Sequence, residues 1–89
     1  MTTFDQDQVQ AIVDTLVTDQ AVADSIDHGI EHVAFRRRDI TVATMIGSML
    51  TVLVAYIVQL GTTPLSRQLI CEAIVVKLRA ELEKANEVT

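Results

Sequence analysis

Two histidines and a glutamate lie close together in the segment His28-Gly29-Ile30-Glu31-His32. His28 and His32 are four residues apart, so in a helix their side chains lie on one face. Two imidazoles on one helix face, with a glutamate beside them, can bind Zn²⁺ and activate a water molecule. Metal-assisted hydrolysis is therefore the first chemistry to consider.

The order H-x-x-E-H resembles the signature of the inverted zinc proteases, but the resemblance covers five residues only. Such an enzyme also needs a third protein ligand, an open coordination position and a substrate cleft. A chain of 89 residues with a long apolar centre does not supply them. We therefore predict no enzyme, no cofactor and no metal site, and His28 and His32 are expected to face solvent.

The centre of the chain carries no charge, because the 27 residues from Ile40 to Ser66 include no Asp, Glu, Lys or Arg. The first 21 of them, residues 40–60, are mostly apolar. As a helix this stretch is long enough to cross the hydrocarbon core of a bilayer. An apolar run of this length flanked by charged residues is typical of a transmembrane helix. The alternative is a central helix that other helices bury.

Capping residues set the limits of two predicted helices. Asp39 is a good N-cap for the apolar helix of residues 40–60. Thr63 followed by Pro64 predicts the start of an amphipathic C-terminal helix of residues 63–87, because proline's missing N–H is harmless in a first turn.

A third predicted helix is an acidic amphipathic arm of residues 4–35. Apolar residues recur there with a seven-residue period, which is typical of coiled-coil packing. The a and d positions of this heptad seam are Val9, Ile12, Leu16, Asp19, Ala23, Ile26, Ile30 and Val33. Asp19 interrupts the seam and Thr18 can cap a new helix, so a break there is the alternative. The three helices predict an all-α fold, a single unit of residues 1–89 that forms a helical bundle by self-association.

Small and polar residues lie on one side of the apolar helix, at spacings of three and four. We call this set the polar stripe, and it consists of Thr41, Thr44, Gly47, Ser48, Thr51, Ala55 and Gln59. Small residues let membrane helices approach closely, and hydroxyls can bond across helices or to their own backbone. The polar stripe therefore predicts a seam between helices or, in a wider ring, the lining of a pore.

The formal net charge of −5 is unevenly distributed. Residues 1–35 hold seven acids and no Lys or Arg, so they would repel a phosphate backbone, and we predict no nucleic-acid partner. Arg36, Arg37 and Arg38 stand directly before the apolar helix. Because basic residues beside a span stay in the cytoplasm, these arginines predict a cytoplasmic N-terminus. The alternative is that they only stabilise a helix C-terminus.

Two functions are compatible with these features. The first is a small self-associating single-pass membrane protein that permeabilises or bridges a membrane, with the lipid bilayer and further copies of itself as partners. In organisation it resembles phage holins and the small membrane-active proteins that tailed phages eject, which implies a channel or ejection role. The second is a soluble, cytoplasmic, homodimeric acidic adaptor or inhibitor, of the anti-defence or antitoxin kind, that binds a basic protein surface.

Overall fold

The computed structural model describes residues 4–88. This part of the chain is all-α, as predicted, and contains no strand. It forms four helices where the sequence predicts three, because the acidic arm is broken. The helices are α1 (Gln6–Val13), α2 (Gln20–Arg36), α3 (Val42–Leu60) and α4 (Pro64–Val88).

The prediction of one continuous arm over residues 4–35 is wrong, because the six residues between α1 and α2 are not helical. After α1, the Thr15 hydroxyl donates to the Ile12 carbonyl at 2.7 Å. Asp19 itself, rather than the threonine before it, caps α2, since its carboxylate accepts from the N–H of Ala21 at 3.0 Å. Aspartate and threonine favour turns and caps over helix interiors, and this local preference outweighs the heptad period.

The break also divides the heptad seam. Val9 and Ile12 lie on α1, and Leu16 lies in the connection. The other apolar seam residues lie on α2, and they are Ala23, Ile26, Ile30 and Val33. The seam is therefore not one stripe along one helix.

The chain divides into two compact units, one of residues 1–17 and 57–89 and the other of residues 18–56. In the first unit α1 packs against α4. Ile70 and Ala73 of α4 are its buried apolar residues, with exposures of 5% and 0%. The half-buried apolar side chains of α1 are Val9, Ile12 and Val13. The core of this unit is accordingly small and lies between two helices that are distant in sequence.

The connection between α2 and α3 differs from the prediction. α3 begins at Val42, and the N–H of Thr44 donates to the hydroxyl of Thr41 at 3.1 Å, so Thr41 caps the helix rather than Asp39. The Asp39 carboxylate instead accepts a hydrogen bond from the Arg37 guanidinium at 3.2 Å. Asp39 lies two residues before Thr41, too early in the chain to cap the first turn of α3.

The start of α4 is as predicted. Pro64 is its first residue, and the Thr63 hydroxyl accepts from the N–H of Ser66 at 3.1 Å. The Ser66 hydroxyl in turn accepts from the N–H of Thr63 at 3.0 Å. This reciprocal pair satisfies two backbone donors at the helix entrance.

Gly61 separates α3 from α4 and is buried. Its φ is not positive, so the residue is not needed for a left-handed conformation. A Cβ added here would lie 3.0 Å from Cγ of Arg67 and 3.0 Å from Cδ1 of Ile70. The Arg67 Nε donates to the Gly61 carbonyl at 2.9 Å. Glycine is therefore required by close approach, because the first turns of α4 fold directly against it.

Candidate membrane span and self-association groove

α3 is the one helix, among those of residues 4–88, that is long and apolar enough to cross a membrane. It has 19 residues, no charge, and a mean hydropathy of 1.9 in its most apolar window. At 1.5 Å per residue it is about 28 Å long, close to the thickness of a hydrocarbon core. The prediction of one long apolar helix is confirmed, with its start at Val42 instead of residue 40. Its length and composition alone identify α3 as a candidate membrane span.

The apolar side chains of α3 are exposed. None of its most apolar window is buried, and Val42, Tyr56 and Leu60 expose 68%, 62% and 64% of their surface. The central helix of a soluble protein is ordinarily covered by its neighbours. α3 therefore needs an apolar surrounding that residues 4–88 do not provide.

The hydroxyls of the polar stripe form hydrogen bonds within their own helix. Ser48 Oγ donates to the Thr44 carbonyl at 2.8 Å, and Thr51 Oγ1 donates to the Gly47 carbonyl at 3.2 Å. The Thr41 and Thr44 hydroxyls lie 3.1 Å apart, with one donating to the other. Hydroxyl protons that are already donated cost little to place in an apolar medium. The stripe is thus compatible with lipid or with a dry helix–helix contact.

A groove of about 700 Å³ lies between α2 and α3, within the unit of residues 18–56. Its lining is almost entirely apolar. Residues that line it are Ile26, Gly29, Ile30, Val33, Arg37, Ile40, Thr44, Met45, Ser48, Met49, Val52, Leu53 and Tyr56. The groove joins two sets that the sequence predicts separately, part of the heptad seam and part of the polar stripe.

The remaining predicted self-association residues lie elsewhere. Ala23 is on α2 but does not line the groove. Five polar-stripe residues also lie outside it, namely Thr41, Gly47, Thr51, Ala55 and Gln59. Sequence reasoning missed the methionines and Tyr56 of the groove. Their residue types and helical spacing place them among the apolar residues of α3. Neither feature indicates which part of that apolar surface faces α2.

The predicted topology anchor lies where α2 ends. Arg36 is the last residue of α2, Arg37 follows as its C-cap, and Arg38 lies in the turn. All three are exposed. The hydrogen bond and the positive charge of Arg37 lower the pKa of Asp39 below its ordinary value. Arg36 and Arg38 form no ion pair within the described residues, so they carry the free positive charge beside α3.

His28 and His32 are exposed on α2. Within the residues that the structure describes, no group of three His, Cys, Asp or Glu side chains is placed to hold a metal ion.

Comparisons of the chain with protein-family models, with curated proteins and with solved structures find no match.

Proposed function

We propose that this chain is a small self-associating membrane protein in which α3 crosses a lipid bilayer once. The observation that carries the proposal is that a helix of 19 uncharged residues has none of its most apolar window buried. Acyl chains supply the surrounding that such a helix needs. An α-helix also satisfies its backbone hydrogen bonds internally, as a membrane requires.

In this proposal α1 and α2 lie in the cytoplasm and α4 lies on the other side of the bilayer, so α1 has to leave α4 when α3 inserts. Arg36, Arg37 and Arg38 precede the first residue of α3 by four to six positions and set this orientation. The nearest cation beyond the span is Arg67, which is half-buried and bonded to the Gly61 carbonyl. The stronger basic cluster is therefore on the N-terminal side of the span.

Copies of the chain meet along the polar stripe, and the assembly permeabilises or bridges the membrane without catalysing a reaction. Its organisation is similar to that of holins and of small proteins ejected by tailed phages. The internal hydrogen bonds of Ser48 and Thr51 support a packed seam over a pore, because these hydroxyls already donate their protons. A pore lining would leave them available to water.

Fractionation of cells that express the full chain tests the membrane proposal. We expect the protein to remain in the pellet after a carbonate wash. Cys71 is the single cysteine of the chain, is exposed, and lies beyond α3, so it reports orientation. An impermeant maleimide should label it from outside intact spheroplasts, whereas in a Cys71→Ser, Ser25→Cys variant it should label only lysed ones. Recovery from the detergent-free supernatant would overturn the proposal.

Dye release from liposomes then separates a pore from a seam. Replacing Ser48 and Thr51 together by valine removes both hydroxyls and keeps the helix apolar. Leakage that disappears in this variant would indicate a pore lining. Leakage that persists would indicate that the polar stripe only packs against other helices. The matched control replaces two exposed apolar residues on the opposite side of α3, Ile46 and Leu50, by threonine.

The groove favours a second candidate, a soluble homodimeric acidic adaptor or inhibitor that binds a basic protein surface. A second copy filling the groove would cover Ile26, Val33 and part of α3 without any lipid. The candidate predicts that the chain is a dimer by light scattering in detergent-free buffer. A monomer or an aggregate there would count against it.

The two candidates make different demands on α2, which carries Asp24, Asp27 and Glu31 beside the groove. Insertion of α3 with the groove kept would bring these acids to membrane depth, which is costly. As a membrane protein, the chain must therefore turn α2 away from α3 at residues 37–41. Spin labels at Ser25 and Val54, both exposed, should move apart when vesicles are added, and an unchanged distance would favour the soluble dimer.

A further inference from the structure

The face of α2 that lines the groove has a glycine at its centre. Ile26, Gly29, Ile30 and Val33 follow helical spacing and all line the groove. Ile26 and Val33 expose 57% and 46% of their surface. A Cβ added at Gly29 would meet nothing within 4 Å. The glycine therefore leaves an open notch in an otherwise apolar face, and inside a helix it costs about 1 kcal/mol relative to alanine.

The two ends of α2 carry opposite charges. Its first half carries Asp24 and Asp27, with Asp19 as the N-cap. Its second half carries one acid, Glu31, and ends at the arginine triplet 36–38. Such a helix is complementary to itself only when the second copy runs in the opposite direction. A parallel pair would place the two arginine triplets together and the acids together, and both contacts repel.

We infer that a second copy of this chain docks on α2 with its own α2 antiparallel, the two helices crossing at Gly29. The crossing seats the glycine notches against each other and covers Ile26 and Val33 on both copies. Residues 36–38 of each copy then lie beside residues 20–24 of the other, where Asp24 is found. This inference rests on the proposed self-association and specifies its surface and direction.

The pair forms through α2, which is exposed to water. It can therefore form whether α3 lies in a bilayer or in water. In a membrane, the twofold axis would run along the bilayer normal, and the two copies of α3 would enter at opposite ends of the α2 pair. Since Arg36 ends α2 seven residues after Gly29, these entry points are about 21 Å apart. The polar stripe is then left free to contact a further copy, so each chain has two contact surfaces and assemblies larger than a dimer follow.

Disulfide mapping tests the direction of the pair. Ala23 and Ala34 are half-buried, lie on either side of Gly29, and are uncharged. Two variants of the full chain, Cys71→Ser with Ala23→Cys and Cys71→Ser with Ala34→Cys, are expressed separately and together, and oxidised in the fraction where the protein is found. We expect cross-linked dimers chiefly on co-expression, at least about tenfold above either variant alone. Stronger cross-linking of each variant with itself would indicate a parallel pair and overturn the inference.

Substitution of Gly29 gives a second, independent measurement. Gly29→Ala meets no obstacle within the chain, so the isolated fold should become more resistant to denaturant. In the pair the added methyl groups face each other, and self-association should weaken about tenfold or more. His28→Ala is the control, because alanine favours the helix there as well and His28 is exposed and lies outside the groove. Unchanged or stronger self-association of Gly29→Ala would overturn the crossing point.

Failure of this inference is distinguishable from failure of the membrane proposal. A chain that resists carbonate but cross-links in parallel keeps its span and loses the antiparallel pair. A chain that is soluble but cross-links between Ala23→Cys and Ala34→Cys loses the span and keeps the pair.

Discussion

The two longest helices of the chain differ in how they cover their apolar residues. α4 carries charged residues along its length, yet it buries Ile70 and Ala73 in the unit where α1 packs against it. α3 carries no charge, yet none of its most apolar window is buried. Burial of apolar surface is the main force that stabilises a fold. The comparison indicates that α4 covers apolar residues within the chain, whereas the described residues leave those of α3 exposed.

The largest expected effect concerns the α4 side of this comparison. Ala73→Asp places an unpaired carboxylate at a position with 0% exposure. We expect it to lower the free energy of unfolding by about 3 kcal/mol, because the buried charge loses its hydration and Lys77, one turn along α4, already pairs with Glu81. Denaturant unfolding followed by circular dichroism measures the loss.

The matched control for that substitution is Ala80→Asp, at an exposed position two turns further along the same helix. It should cost less than about 1 kcal/mol, which is the difference in helix propensity. Equal losses from both variants would show that the contact between α1 and α4 contributes little to stability.

The second prediction concerns the α3 side. Val52 on α3 and Leu78 on α4 have nearly equal exposures, 55% and 57%. Val52→Lys should cost about 3 kcal/mol of membrane insertion and move the protein out of the carbonate-resistant pellet. Leu78→Lys should leave fractionation unchanged, because it adds one charge to a helix that already faces water. Identical behaviour of the two variants would remove the distinction between the helices.

Sequence patterns identify both helices but not their different surroundings. The uncharged run predicts α3 to within two residues, and Thr63 with Pro64 predicts the start of α4, because both signals are local. The packing of α1 on α4 joins residues more than 50 positions apart. Periodicity shows that α1 and α4 have apolar faces and does not show that these faces meet.

The two wrong predictions, the continuous acidic arm and the Asp39 cap, have a related cause. In each place two sequence signals favoured different helix limits. The heptad period continues through residues 14–19, but the capping preferences of Thr15 and Asp19 end one helix and begin the next. Near α3, Asp39 and Thr41 both have the chemistry of an N-cap, and in the structure Thr41 caps the helix while Asp39 pairs with Arg37. The groove could be predicted only in part, because the angle between α2 and α3 depends on this connection.

A smaller effect is expected where the two regions contain comparable glycines. Gly61→Ala should lower the free energy of unfolding by about 1 to 2 kcal/mol, because the new Cβ lies 3.0 Å from Cγ of Arg67. Gly47→Ala should raise it by about 0.5 to 1 kcal/mol, because alanine favours a helix and meets no obstacle. The denaturant concentrations at the unfolding midpoints of the two variants test both predictions. Stabilisation by both would mean that Gly61 has room for a side chain.

The smallest effect concerns one exposed ion pair in each region. The hydrogen bond from Arg37 lowers the pKa of Asp39 below 3.8, and the hydrogen bond from Lys77 lowers the pKa of Glu81 below 4.5. A lowered carboxyl pKa stabilises the fold above the ordinary value, and this contribution disappears as the pH falls through the folded value. Stability should therefore decrease slightly below about pH 4.5, first on α4 and then in the connection before α3.

Carbon-13 titration of the side-chain carboxyls resolves the two groups. Arg37→Gln should return the pKa of Asp39 towards 3.8 and leave Glu81 unchanged, and Lys77→Gln should act on Glu81 alone. Vesicles sharpen the comparison, because the membrane proposal turns α2 away from α3 at residues 37–41, which include the Arg37–Asp39 pair. If insertion separates Arg37 from Asp39, the pKa of Asp39 rises on binding while that of Glu81 stays constant. A constant pKa for both groups would mean that residues 37–41 keep their conformation, and it would favour the soluble dimer.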